Sequence, residues 1–265
     1  MSSINTVGTS SILQQVQQQQ EQRLEELSSG RRINSAADGA AAQQIIDRLT
    51  TEVEGNRQAI SNSFDGISLA QVAEGGLSGI NEDVNRIREL TIQSGNGILS
   101  DSDRTAIQGE ISALQDNISQ TIEQTNFAGQ ALLSEDGGIS FQVGSDAGNQ
   151  IDVSTQNFNE ELDAILNVDV TTQSIEDSLA ATDAAIESVG SARSELGAVQ
   201  SRFESTARNL SQSDVNVSAA RGRIADTDFA QSTASLSASN VQSQAALTIQ
   251  AQANQQQGQV LALLN

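Results

Sequence analysis

Apolar residues recur at alternating steps of three and four along most of this chain, with polar residues filling the positions between. The longest run is Ile60, Phe64, Ile67, Ala70, Ala73, Leu77, Ile80, Val84 and Ile87. This is the seam of a coiled-coil helix, and it predicts a helix over about 40–96. Gly95-Asn96-Gly97 closes it. A second helix, about 102–125, opens at Asp101-Ser102-Asp103, residue types that cap helix starts, and its seam is Ile107, Ile111, Leu114, Ile118 and Ile122. A third, about 174–212, follows Ile175, Leu179, Thr182, Ile186, Val189, Arg193, Leu196, Gln200, Phe203, Ala207 and Leu210. Its polar seam positions cost stability and fix the alignment with one partner.

The period changes between the second and third helices. Ile139-Ser140-Phe141-Gln142-Val143 and Gln150-Ile151-Asp152-Val153 alternate around Gly-Ser-Asp-Ala-Gly-Asn, which predicts a β-hairpin over about 138–154. Residues 156–173 read as a short acidic connection. The two ends are weaker. Leu24 and Leu27 lie beyond a glutamine block at 14–20, and Leu247, Val260 and Leu263 stand among glutamines at the far end, with Ile224 and Phe229 before them. These segments suit either low-complexity disorder in an isolated chain or amphipathic helices with uncharged polar faces of the sort that could line a water-filled conduit. The fold class is therefore mainly α, an elongated helical bundle or coiled-coil rod with one small β-hairpin, in which the last strong helix runs back along the first two.

Composition sharpens this picture. Six Phe with no Tyr or Trp suit thin helical seams better than a thick core. The sequence has no Pro to force a helix break and no Cys to form a disulfide or thiolate site. His is absent too, and with Cys missing this removes the usual general base and nearly all zinc chemistry. Residues 1–36 hold three Arg and three Glu, and residues 216–265 hold two Arg and two Asp, so the whole net charge of −21 sits in residues 37–215. Neutral ends around an acidic middle suggest ends packed in an assembly and a middle facing water. No basic stripe exists for nucleic acid, and no apolar run is long enough for a membrane helix. Carboxylate pairs such as Asp101 with Asp103, or Glu82 with Asp83, read as helix caps or solvated faces. No cofactor, metal site or catalytic residue is expected.

Several blocks resemble bacterial flagellins. Leu27-Ser28-Ser29-Gly30-Arg31-Arg32-Ile33-Asn34-Ser35-Ala36-Ala37-Asp38 is similar to the family's LSSG-x-RINSA-x-D signature. Asn85-Arg86-Ile87-Arg88-Glu89-Leu90 resembles QRVREL, and Phe141-Gln142-Val143-Gly144 resembles FQVG. Gln124-Thr125-Asn126-Phe127-Ala128-Gly129 resembles TQFNG, with Ala128 standing where the family has Asn. Ala192–Gln200, Arg221–Phe229 and the closing Val260-Leu261-Ala262-Leu263-Leu264 resemble the C-terminal blocks.

The resemblance implies a filament subunit that polymerises with itself, in a minimal form without the outer variable domains. Residues 1–36 and 216–265 would form an inner terminal coiled coil, with Leu24, Leu27, Ile224, Phe229, Leu247, Val260 and Leu263 as its assembly residues, and 37–215 would form the helical rod. It further implies export without a cleaved signal peptide and an extracellular location in the flagellum. The implied partners are an export chaperone, the filament cap and hook-associated junction proteins. An innate immune receptor reads some flagellins, and the matching positions are Arg86, Leu90 and Glu110. The hook–filament junction protein shares the terminal blocks and is the alternative. The NRIREL and FQVG matches favour the filament subunit. An enzyme is not expected, because some flagellins carry a metallopeptidase insert but this chain has no His for HExxH.

Overall fold

The computed structural model describes residues 2–263, with side chains described for 14–252 and for 255. Among the described residues there are seven helices: α1 (Ser2–Ser29), α2 (Ala36–Ser94), α3 (Asp101–Gln124), α4 (Phe158–Glu161), α5 (Asp163–Leu166), α6 (Ile175–Ala225) and α7 (Phe229–Leu263). Two antiparallel strand pairs join them, β1 (Asn126–Phe127) with β2 (Gln130–Ala131) and β3 (Gly137–Gln142) with β4 (Gln150–Thr155). The chain divides into a terminal unit, residues 1–53 and 215–265, and a central unit, residues 54–214. The helix expected to stop near 212 runs on to Ala225, because no Pro interrupts it and its first glycine beyond that point is Gly222. The expected division at 215/216 therefore falls inside a continuous helix.

In the central unit α2 runs antiparallel to both α3 and α6. Arg86 meets Glu110 and Asp83 meets Asn117 on one side. On the other, Arg88 meets Asp183 at 2.9 Å and Glu74 meets Gln200 at 2.9 Å. Leu77, Ile80, Val84 and Ile87 of α2, Ile107, Ile111 and Ile118 of α3, and Val189, Leu196 and Phe203 of α6 are buried in one apolar core. Ile60, Ile67, Leu114, Ile186 and Leu210 are partly buried.

Phe64 does not belong to the seam. It is 56% exposed, and the buried face there runs through Ala59, Ser63, Gly66, Leu69 and Ala70. The reason is the Phe203 ring. A Cβ on Gly66 would clash with it, so α2 turns this glycine toward the ring and carries Phe64 to the opposite side. Phe203 also meets Phe141 of β3 edge-on, with centroids 5.5 Å apart at 88°, which fastens the hairpin to α6. Asn62 of α2 donates to the Gln142 carbonyl at 2.8 Å and holds the hairpin from the other side.

Two pieces of this unit are additional to the sequence-based expectation. Residues 156–173 are not a bare acidic connection. They form α4 and α5 and bury Phe158, Leu162, Ile165, Val168 and Val170, while Glu160, Glu161 and Asp163 face water. Gln115 of α3 donates to the carbonyls of Ile165 and Val168, both at 2.9 Å, and Gln108 accepts from the Val170 N–H at 2.9 Å, so the backbone groups of this connection are satisfied where it enters the core.

The second is the tight β1–β2 turn. Ala128 takes φ 51° and Gly129 φ 82°. Two consecutive positive φ values are those of a two-residue type I′ hairpin turn, for which Asn-Gly is the preferred pair. An alanine in the left-handed region is strained by about 1–2 kcal/mol, and asparagine adopts it far more readily. Ala128→Asn should therefore raise stability by about 1 kcal/mol, read as a higher denaturant midpoint at unchanged slope. An unchanged or lower midpoint would contradict the strain.

The terminal unit pairs α1 with α7. The order of contacts makes them antiparallel, since Gln20 donates to Asn240 at 2.6 Å while Thr227 N–H reaches the Gly30 carbonyl at 3.1 Å. At their junction the Arg32 N–H donates to the Ala225 carbonyl at 2.7 Å, and Ile33, Ile46 and Ala225 bury one another. Gly30 takes φ 70°, the left-handed conformation that ends α1. Asp38 accepts from the N–H groups of Ser35 and Asn34, which holds its carboxyl below the ordinary value, and regular helix geometry in α2 resumes after Gly39.

Candidate assembly surfaces

The α1–α7 pair cannot bury its own apolar residues. Val16 is covered, but Leu24, Phe229 and Leu247 are at least half exposed, Phe229 at 66%. Leu27 and Ile224 are partly buried, Ile224 against the Ile33–Ile46–Ala225 cluster. Val260 and Leu263 lie outside the residues whose side chains are described. Two further exposed apolar residues on α7, Val241 and Ile249, escaped the sequence reading because they sit among Ser, Gln and Ala without a regular step. Gln14, Gln15, Gln17, Gln18 and Gln19 of α1 are also exposed and carry no charge. A two-helix pair has one shared seam, so apolar residues off that seam stay in water until another chain covers them. Full burial of a Leu, Val, Ile or Phe side chain stabilises by about 1.5–3 kcal/mol.

The central unit differs. Its core is closed, and its surface carries most of the negative charge. Arg86 lies on that surface with two carboxylates. Its Nη2 and Nε donate to Glu110 Oε1 at 2.7 and 3.1 Å, and its Nη1 donates to Glu89 Oε2 at 3.0 Å. The Glu110 and Glu89 carboxylates hold the Arg86 guanidinium above its ordinary pKa. Leu90 does not share this surface. It is 2% exposed, because it follows Ile87 by one helical turn and continues the buried seam. Only Arg86 and Glu110 of the three sequence-identified positions are accessible. In the same unit, Ile92 and Ile98 are exposed apolar residues outside the periodic pattern, and Ile98 stands 87% exposed in the loop between α2 and α3.

One carboxylate of each sequence pair, Asp103 and Asp83, has a structural role. Ser100 caps α3 by accepting from the Asp103 N–H at 3.3 Å, and Asp103 returns the bond to the Ser100 hydroxyl at 2.7 Å and its N–H at 2.9 Å, which holds the Asp103 carboxyl below the usual range. Asp83 accepts from Asn117 at 2.8 Å, and burial pushes its carboxyl up. No group of three or more potential metal ligands exists among the described residues. A cavity of about 20 Å³ under Leu69, Leu77, Leu133, Phe158 and Leu196 has room for about one water molecule. No helix of the described residues is long and apolar enough to cross a membrane.

Comparison with known proteins follows the same lines. Residues 2–137 match the family model of the bacterial flagellin N-terminal helical region, and residues 179–264 match that of the C-terminal helical region. The chain is 37% identical to flagellin of Bacillus subtilis strain 168, with 91% of each chain covered. It is 34% identical to a flagellar filament core protein of Treponema maltophilum, again with 91% of each covered. Flagellin of an Escherichia coli O127:H6 strain is 43% identical over 60% of this chain but only 30% of its own length, so it carries much that this chain does not. Among solved structures, Bacillus cereus flagellin superposes with a TM-score of 0.51 at 22% identity, covering 57% of this chain and 88% of that one. A structure assigned to a flagellar hook-associated protein of Vibrio parahaemolyticus gives 0.62 at 18% identity, covering 71% of this chain and all of that one.

Proposed function

The chain belongs to the bacterial flagellin family, structural subunits that polymerise into the extracellular flagellar filament, and from that premise we propose how its two units divide the work of assembly. The terminal unit is the inner, subunit-joining part, and the central unit is the water-facing wall. The observation that carries this reading is that α1 and α7 share one seam and leave Leu24, Phe229, Val241, Leu247 and Ile249 exposed, while the central unit, though it also exposes Phe64, Ile92 and Ile98, closes a core of its own and holds most of the net charge. Polymerisation supplies the missing cover. A repeated head-to-tail contact that does not close gives a helical polymer. Charge resists association at low salt, and screening within about 10 Å at 0.1 M eases it.

The test is negative-stain electron microscopy of the purified chain at rising salt or with filament seeds. Long filaments are expected, and monomers that persist beside seeds of their own species would overturn the reading. The hook–filament junction alternative is not favoured: the Vibrio structure is 18% identical and speaks for the fold alone, whereas the flagellin relatives are 36–37% identical over 91% of this chain.

The finer partners are proposed from the family resemblance: an export chaperone, the filament cap and hook-associated junction proteins, with export that leaves no cleaved signal peptide. An innate immune receptor is a further proposed partner, and its contacts here are narrowed to Arg86 and Glu110. An Arg anchor at the centre of an interface would lower receptor activation roughly ten-fold when replaced by Ala. Arg86→Ala that signals like the unchanged protein in a receptor reporter assay would remove this partner. Its helix content should not change, because the ion pairs it loses are exposed.

A further inference from the structure

Asn96-Gly97 is the one Asn-Gly pair in the sequence, and it falls in the loop between α2 and α3. Both residues are exposed. The Ile98 N–H donates to Asn96 Oδ1 at 3.3 Å, which folds the side-chain amide forward over the Gly97 peptide and polarises its carbonyl. The Gly97 N–H has no hydrogen-bond partner among the described residues, and a Cβ at Gly97 would meet nothing within 4 Å.

From this arrangement we infer that Asn96 is a site of spontaneous, self-catalysed deamidation. The Gly97 backbone nitrogen, once it loses its proton to solvent base, attacks Asn96 Cγ. A C–N bond forms, the Cγ–Nδ2 bond breaks, and ammonia leaves after taking a proton from water. The Ile98 N–H stabilises the oxyanion that develops on Oδ1. Water then opens the resulting succinimide at either carbonyl and gives aspartate or, by the other opening, isoaspartate. The balance is loss of ammonia and gain of water.

Other asparagines of the chain supply the contrast. Asn62 and Asn85 lie inside α2, where the N–H of the next residue is committed to the helix and cannot approach the side chain. Asn34 precedes Ser35 in an exposed segment, but the Ser35 N–H donates to Asp38 Oδ2 at 2.8 Å, so its nucleophile is engaged. At Gly97 an unhindered, unpaired nitrogen follows an Asn side chain that the Ile98 N–H holds forward. The product adds a negative charge close to Asp101 and Asp103, and the isoaspartate form lengthens the backbone within the turn where Leu99 N–H bonds the Asn96 carbonyl at 3.1 Å. The loop that presents Ile98 therefore changes with the age of the protein.

The full chain is incubated at mildly alkaline pH, sampled over days and cleaved with trypsin, and the peptides are read by mass. Asn96 lies in peptide 89–104, and Asn62, Asn81 and Asn85 lie together in peptide 58–86. Peptide 89–104 should gain about 1 Da and separate into two isomers, while 58–86 stays unchanged. Gly97→Val, which the open space at Gly97 accommodates, should slow the gain on the order of ten-fold through its stiff, branched side chain. Equal gain in the two peptides, no gain in 89–104, or a Gly97→Val chain that deamidates at the original rate would overturn the assignment.

Discussion

A chain that lacks residues 216–265 should form no filaments under conditions where the full chain polymerises, and should keep its central unit folded. The deletion removes α7 and the end of α6, so α1 loses its partner and Val16 its cover. A solitary helix with little apolar surface cannot offset roughly 1–2 kcal/mol of backbone entropy for each ordered residue, and α1 should melt. The central unit loses nothing, because its core residues all lie between Leu69 and Phe203. Circular dichroism should show lower helix content with a cooperative melt retained, and electron microscopy should show no polymer. Filaments from the shortened chain would place the joining surface in the central unit instead.

Phe203→Ala should cost about 3–5 kcal/mol, the usual range for removing a buried aromatic ring. Phe203 is fully buried, rests on Gly66 and meets Phe141 edge-on, so one substitution loosens α2, α6 and the β3–β4 hairpin together. Gly66 cannot grow into the space without its own backbone moving. In a unit of this size each kcal/mol lowers the melting temperature by about 2–4 °C, so a fall of roughly 10 °C is expected. A change below about 1 kcal/mol would mean that the ring is not the fastening point the geometry makes it.

The long seams were legible in the sequence because period is a strong signal over many turns. Leu77, Ile80, Val84 and Ile87, and Ile107, Ile111 and Ile118, are buried where the stepping put them, with Leu114 partly so. The same method slipped at Phe64. Sequence period cannot tell that a ring from another helix fills the place beside Gly66, and a glycine in a seam looks like a gap. Residues 156–173 were illegible for a different reason. Helices of four residues are shorter than any window that shows a period, and Phe158, Leu162 and Ile165 are diluted by the acids between them. The strain at Ala128 was half visible, since its departure from the family's Asn could be read, but its positive φ belongs to the backbone alone. Of the apolar residues left exposed on α1 and α7, Leu24, Phe229 and Leu247 stand out in the sequence, whereas Val241 and Ile249 lack any pattern, as does Ile98 in the α2–α3 loop. Leu90 is a candidate receptor contact only through the resemblance of its sequence block. Its burial follows from a helical phase that the block does not encode.

The antiparallel meeting of α1 with α7 also sets a clock. Gln20 waits for Asn240 and Gly30 for Thr227, contacts separated by most of the chain. Closing so long a loop brings an entropic cost that grows with the logarithm of its length, and no local contact can stand in for the missing partner. During synthesis α1 must remain unpaired until α7 has been made. The central unit, whose helices follow one another closely, can fold during that interval. The subunit would then reach its joining-competent state only when the last residues are released, so the order of the chain itself keeps unfinished molecules from joining a polymer.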